Sequence, residues 1–159
     1  MLVFDPQANY KTKRHKLFWC DCSTLPIETC ISSIESKGIK ILNVGLLLSG
    51  FLQSQNKDKF LGINAQEYLR NLFVEQAALS FNTTQPTIAF HNIGILFETE
   101  LSLDSATFFR ELSKEIVIIF LWDGIVLNDS VFLWDAGFSN IKLDFSDTLV
   151  TKINFNNEI

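Results

Sequence analysis

The sequence predicts an α/β fold in three layers: a mostly parallel sheet with helices on both faces and a short C-terminal hairpin. Three observations carry this. Strand-length apolar runs alternate with stretches of helical periodicity, the β-α-β-α order that builds a parallel sheet. Residues 116–122 (IVIIFLW) are apolar throughout, the mark of a central strand covered on both faces. The composition, 47% hydrophobic with fifteen Phe among 159 residues, provides one core and predicts one domain over residues 1–159.

Taken in order, residues 1–15 show no period and read as an N-terminal arm. Residues 17–20 (LFWC) form a first strand. After a polar turn, Ile27, Cys30, Ile31 and Ile34 recur at helical spacing up to Gly38, which reads as a helix with a glycine stop. Residues 39–44 supply a second strand, 46–51 a short helix and 53–59 a surface loop. Asn64 followed by Glu67 has the spacing of a capping box, opening a helix that places Leu69, Leu72, Phe73 and Ala77 on one face. Residues 86–92 (PTIAFHN) read as a buried strand. Asp104 then caps a helix carrying Phe108, Phe109 and Leu112, and the 116–122 strand follows. Residues 131–134 and 141–145 form the two strands of the hairpin, and 146–159 reads as a tail.

Composition excludes some classes of function. With 13 Lys+Arg against 18 Asp+Glu the net charge is −5, so direct nucleic-acid binding is not expected. No run reaches the roughly 18 apolar residues of a membrane span, and no secretory pattern opens the chain, so the expected compartment is the cytoplasm. The spacing of Cys20, Cys22 and Cys30 fits neither a disulfide framework nor paired zinc knuckles, so they read as reduced thiols packed as small apolar groups, with no metal. A mean hydropathy of +0.19 and only 19% charged residues predict an apolar face covered by a partner. Large side chains such as Phe73, Phe108 and Phe109 are candidates for that surface. The cluster Lys11, Lys13, Arg14 and Lys16 reads as an interaction patch for an acidic protein surface.

In an open α/β sheet the ligand site lies off the carboxyl ends of the strands. A phosphate-binding loop there needs glycines, so that amides can wrap the phosphates, and a lysine to neutralise them. Residues 22–29 read CSTLPIET, with no glycine, Glu28 where the lysine would stand and Thr29 at the hydroxyl position. The third strand ends in His91 and Asn92, where a magnesium-binding carboxylate would be needed. The fourth ends in Trp122 and Asp123.

The stretches IAFHNIGILF, LSLDSATFFRELSK and IVIIFLWDG, preceded by ILNVGLLLSGFL and followed by VFLWDAGFSNIKLD, resemble a known family. It is that of the small P-loop proteins of type 3 BREX phage-defence systems, the BrxF proteins. The resemblance implies a P-loop NTPase-like fold. It places His91 at the family's magnesium-binding Asp, Gly94 at an acidic position, Lys114 at an Arg and Glu28 at the phosphate-binding Lys. These four losses on a retained scaffold imply a non-catalytic subunit of an anti-phage defence complex. Glu28, Thr29, His91, Asn92, Trp122 and Asp123 would then be a vestigial nucleotide site. No catalytic residue and no cofactor is expected; ATP with magnesium enters only if that site keeps residual binding. Expected partners are other protein subunits of the complex or a second copy of the chain. The alternatives are a divergent ATP-binding component of such a system and an unrelated small α/β adaptor or immunity-type protein.

Overall fold

Five β-biased segments, the first four ending in a polar residue or tryptophan, pair in parallel to form the main sheet. The computed structural model describes residues 15–56, 59–83, 85–135 and 140–153. The elements are β1 (Leu17–Asp21), α1 (Ile27–Glu35), β2 (Lys40–Asn43), α2 (Val44–Gln53), α3 (Leu61–Ala77), β3 (Thr87–His91), α4 (Ser105–Leu112) and β4 (Val117–Trp122). They are followed by β5 (Ile125–Leu127), β6 (Val131–Asp135), β7 (Asn140–Asp144) and β8 (Val150–Ile153). The main sheet has the order β2-β3-β4-β1-β8 and every pairing in it is parallel.

This order fixes which face each helix covers. The connection from β1 through α1 reaches over β4 and β3 to β2, and every later connection steps back the other way. Right-handed crossovers put the two directions on opposite faces. Side-chain alternation agrees. Leu17, Trp19, Ile88, Phe90, Ile118 and Phe120 pack with α2, α3, α4 and the β5-β6-β7 sheet, whereas Phe18, Cys20, Ala89, Ile119 and Leu121 pack with Cys30 and Ile34 of α1. The larger core is built of aromatics: Phe90 stacks on Phe109 at 4.7 Å, Phe73 meets both edge-on, and Phe120 meets Phe132 at 4.6 Å.

The predicted central strand is central. All six residues of β4 are buried between β3 and β1. Gly38 adopts φ +80° after α1, and Asp104 caps α4 by accepting from the Thr107 amide at 3.1 Å and its hydroxyl at 2.8 Å. Elsewhere the structure corrects the reading. Helix α3 starts at Leu61 with Phe60 at its N-cap, so Asn64 and Glu67 lie inside the helix and form no capping box. The side chain that does cap a helix here is Asn43, which accepts from the Leu46 amide at 3.0 Å and starts α2 two residues earlier than expected. The C-terminal hairpin is part of a separate three-stranded antiparallel sheet, because the short segment after Gly124 adds β5 to β6 and β7. The range read as a tail contributes β8, whose Val150 and Ile153 are buried against β1. Phe73, Phe108 and Phe109 are buried, and the exposed apolar residues are instead Leu46, Phe60, Ile63, Ile125 and Leu127, among others.

Of the predicted interaction patch, Lys11, Lys13 and Arg14 lie outside the described residues, as does the arm apart from His15. Lys16 is half-buried and extends β1: its amide donates to the Ser113 carbonyl at 3.1 Å and its carbonyl accepts from Ile118 at 2.9 Å. Among the described residues no helix is long and apolar enough to cross a membrane.

Candidate functional site

Strands β1 and β4 are neighbours whose carboxyl ends leave the sheet in opposite directions, β1 towards α1 and β4 towards the small antiparallel sheet. Such a reversal opens a crevice, and in open α/β sheets it is where ligands bind. A cavity of about 200 Å³ lies beside this crevice, at the carboxyl ends of β3 and β4. His91, Asn92, Trp122 and Asp123 line it together with Ile27 and Trp134. Four of the six residues singled out from the sequence therefore meet in one place. Glu28 and Thr29 are not among the lining residues: Glu28 is exposed in the first turn of α1, and Thr29 is half-buried in the same helix with its amide bonded to the Pro26 carbonyl.

Each lining group has a structural cause for its position. Asn92 adopts φ 58°, a left-handed conformation that asparagine tolerates, and its side-chain amide donates to Asn43 Oδ1 at 2.8 Å, tying the ends of β2 and β3 together. Gly45 makes room for this bond, since a Cβ there would lie 2.4 Å from Asn92 Nδ2. Trp122 donates its indole N–H to the Leu133 carbonyl at 3.3 Å and so fastens the small sheet to the end of β4. Gly124 permits that approach, because a Cβ on it would lie 2.2 Å from the same carbonyl. Trp134, missed by the sequence analysis as a site residue, forms a wall, and a Cβ on Gly94 would already lie 3.2 Å from its ring. An acidic side chain at position 94 would press into that indole.

His91 points to the α1 side of the sheet, as Ala89 does. Burial lowers its pKa from the ordinary 6.5, so the neutral ring is the resting form. Among the described residues its ring has no hydrogen-bond partner. At the end of β1, burial raises the pKa of Asp21. Hydrogen bonds from the Ser23 amide (3.0 Å) and hydroxyl (2.6 Å), with the Lys152 ammonium at 3.5 Å, outweigh that and hold the carboxyl below 3.8.

The turn at residues 22–26 does not form a phosphate cradle. The Cys22 amide continues the ladder to the Trp122 carbonyl at 2.7 Å, the Ser23 amide is taken by Asp21, and Pro26 has no amide hydrogen. The positive end of α1, where a phosphate would sit, instead has the Glu28 carboxylate in its first turn. A second cavity of about 300 Å³ between α3 and α4 is lined by Arg70, Glu111, Lys114 and Glu115, whose charges pair with one another. It offers no uncompensated charge to a ligand. Lys114, placed by the resemblance at a functional Arg, bonds Glu111 at 2.7 Å. No protein-family model, curated protein or solved structure matches the chain.

Proposed function

We propose that this chain is a non-catalytic P-loop-like subunit that works by binding other proteins, in an anti-phage defence complex of the kind its resemblance implies. The observation that carries the reading is the stretch after β1. Two of its amides are committed to the protein itself, it ends in proline, and it leads into a helix whose first turn holds a carboxylate. An anionic phosphate placed there meets charge repulsion and few available donors. Cavity size points the same way, since about 200 Å³ falls below the 300–1,000 Å³ typical of small-molecule sites.

Protein binding is supported by the outward face of the small sheet. Phe132 and Leu143 face the core, so Ile125, Leu127, Val131 and Leu133 face away from it. Ile125 is 64% exposed and Leu127 48%. The test is a thermal titration with ATP and magnesium. No shift is expected, whereas saturation at a hundred times Kd would stabilise a nucleotide-binding protein by about 2.7 kcal/mol. A shift of that size would overturn the reading in favour of a divergent ATP-binding component.

A further inference from the structure

The chain has three cysteines, and the fold gathers all of them. Cys20 lies in β1 on the face turned to α1. Cys22 keeps that face, because its amide prolongs the β1–β4 ladder past the end of the strand. Cys30 comes from α1, on the same stripe as Ile34. Their three sulfur atoms all lie within 4.8 Å of one another, and the residues are 6%, 4% and 4% exposed. All three are free thiols.

We propose that Cys20, Cys22 and Cys30 form a trithiolate site for a soft, thiophilic cation of the Cu(I) class. Three thiolates held about 2.3 Å from one ion lie about 4 Å apart, so closing this cluster on an ion takes shifts below about 1 Å. Sulfur-only ligation selects soft ions. Zinc takes a fourth ligand, and among the described residues no histidine or carboxylate joins the three sulfurs. Asp21 is turned towards Ser23 and Lys152, and His91 stands on β3 with β4 in between. A trigonal thiolate site suits Cu(I).

Binding releases the three thiol protons to solvent, and the ion with its three thiolates then carries a net charge of −2. Entry is from the exposed residues 23–26, next to Cys22.

The reduced full-length chain, kept anaerobic, is titrated with Cu(I) against a competing Cu(I) chelator. One Cu(I) per chain is expected, with thiolate-to-copper charge-transfer absorption in the ultraviolet and a raised melting temperature. C22S and C30S are each expected to weaken retention by roughly a hundredfold or more, beyond what loss of an outer-shell partner costs. C30A serves as a second variant that leaves no buried hydroxyl, so that lost binding can be separated from lost folding. Failure of the folded wild-type chain to retain Cu(I) would overturn the proposal, as would equal retention by all three variants. Zinc held in preference to Cu(I) in the same competition would overturn the assigned ion.

Discussion

Oδ1 of Asn43 accepts two hydrogen bonds, one from the Leu46 amide that starts α2 and one from Asn92 at the end of β3. Asn43→Ala removes both and is expected to lower the unfolding free energy by about 1–2 kcal/mol, mostly through the lost cap. Asn43→Asp keeps the acceptor and should cost less. An unchanged urea midpoint for the alanine variant would refute this role. His91 gives a second test at this scale. Its folded pKa lies below 6.5, so between 6.5 and that lower value the unfolded chain binds the proton and the folded chain does not. Stability is therefore fully present above the unfolded pKa and falls as pH drops through this window. Asp21 and Asp104 are also shifted downward, but they act only below 3.8 and leave the histidine window clear. Melting temperature followed from about pH 7 to pH 5 should decline in the wild type and flatten in His91→Gln. Equal slopes would show that the ring is not desolvated as described. Asp104 was legible as a cap because Thr107 and a periodic helix follow it. Asn43 was not, because it ends a strand and caps a helix at once, with no turn between them to mark the boundary.

Among the elements, β4 was the most legible, since six consecutive buried residues leave the hydrophobic signal unbroken. β8 was invisible for the opposite reason. It is an edge strand of four residues paired with β1, and its buried ends Val150 and Ile153 face opposite sides of the sheet around half-buried Thr151 and exposed Lys152, so it shows no period-2 alternation to separate it from a polar tail. β5, three residues long with two exposed apolar side chains turned outward, carries too short a pattern to be read as a strand. The position of β4 makes a strong prediction. Ile118 is fully buried and sits between Leu17 and Ile88 in register, so Ile118→Asp places a carboxylate with no partner in the core. The cost of several kcal/mol is a large fraction of a total of about 5–15, and the chain should fail to fold. A soluble Ile118→Asp protein with a cooperative melt would contradict the sheet order. The β1–α1 turn carries a second prediction. Glu28→Lys supplies the missing charge but not the missing glycines, and the Cys22 and Ser23 amides stay committed to Trp122 and Asp21. No magnesium-dependent ATP hydrolysis is expected from this variant, and robust turnover would refute the description of the turn.

At the scale of the whole molecule, the layers and the carboxyl-edge site could be read from periodicity, because both follow from strands alternating with helices. The partition of apolar residues between core and surface could not. The sequence pointed to Phe73, Phe108 and Phe109 as surplus, yet these rings fill the space between α3, α4 and the sheet, and other apolar side chains, Leu46, Phe60, Ile63 and Phe81 among them, are left outside. Which side of a strand faces water depends on what packs against it, and for β5 and β6 that is decided by the return of β7 over the core. The outcome is an apolar outer face beside an open edge, since β5 pairs with β6 alone. Exposed edge strands with apolar side chains invite pairing with another chain. Replacing Ile125 and Leu127 together by lysine should therefore abolish association with a partner subunit or a second copy. The melting temperature of the isolated chain should hardly change, because both side chains already face water. Light scattering of the wild type and the double variant at matched high concentration, with side-by-side recovery of partners from the native host, measures both arms. An unchanged oligomeric state and unchanged partner recovery in the double variant would exclude this face as the contact surface. A large fall in melting temperature would mean that the two side chains belong to the core instead.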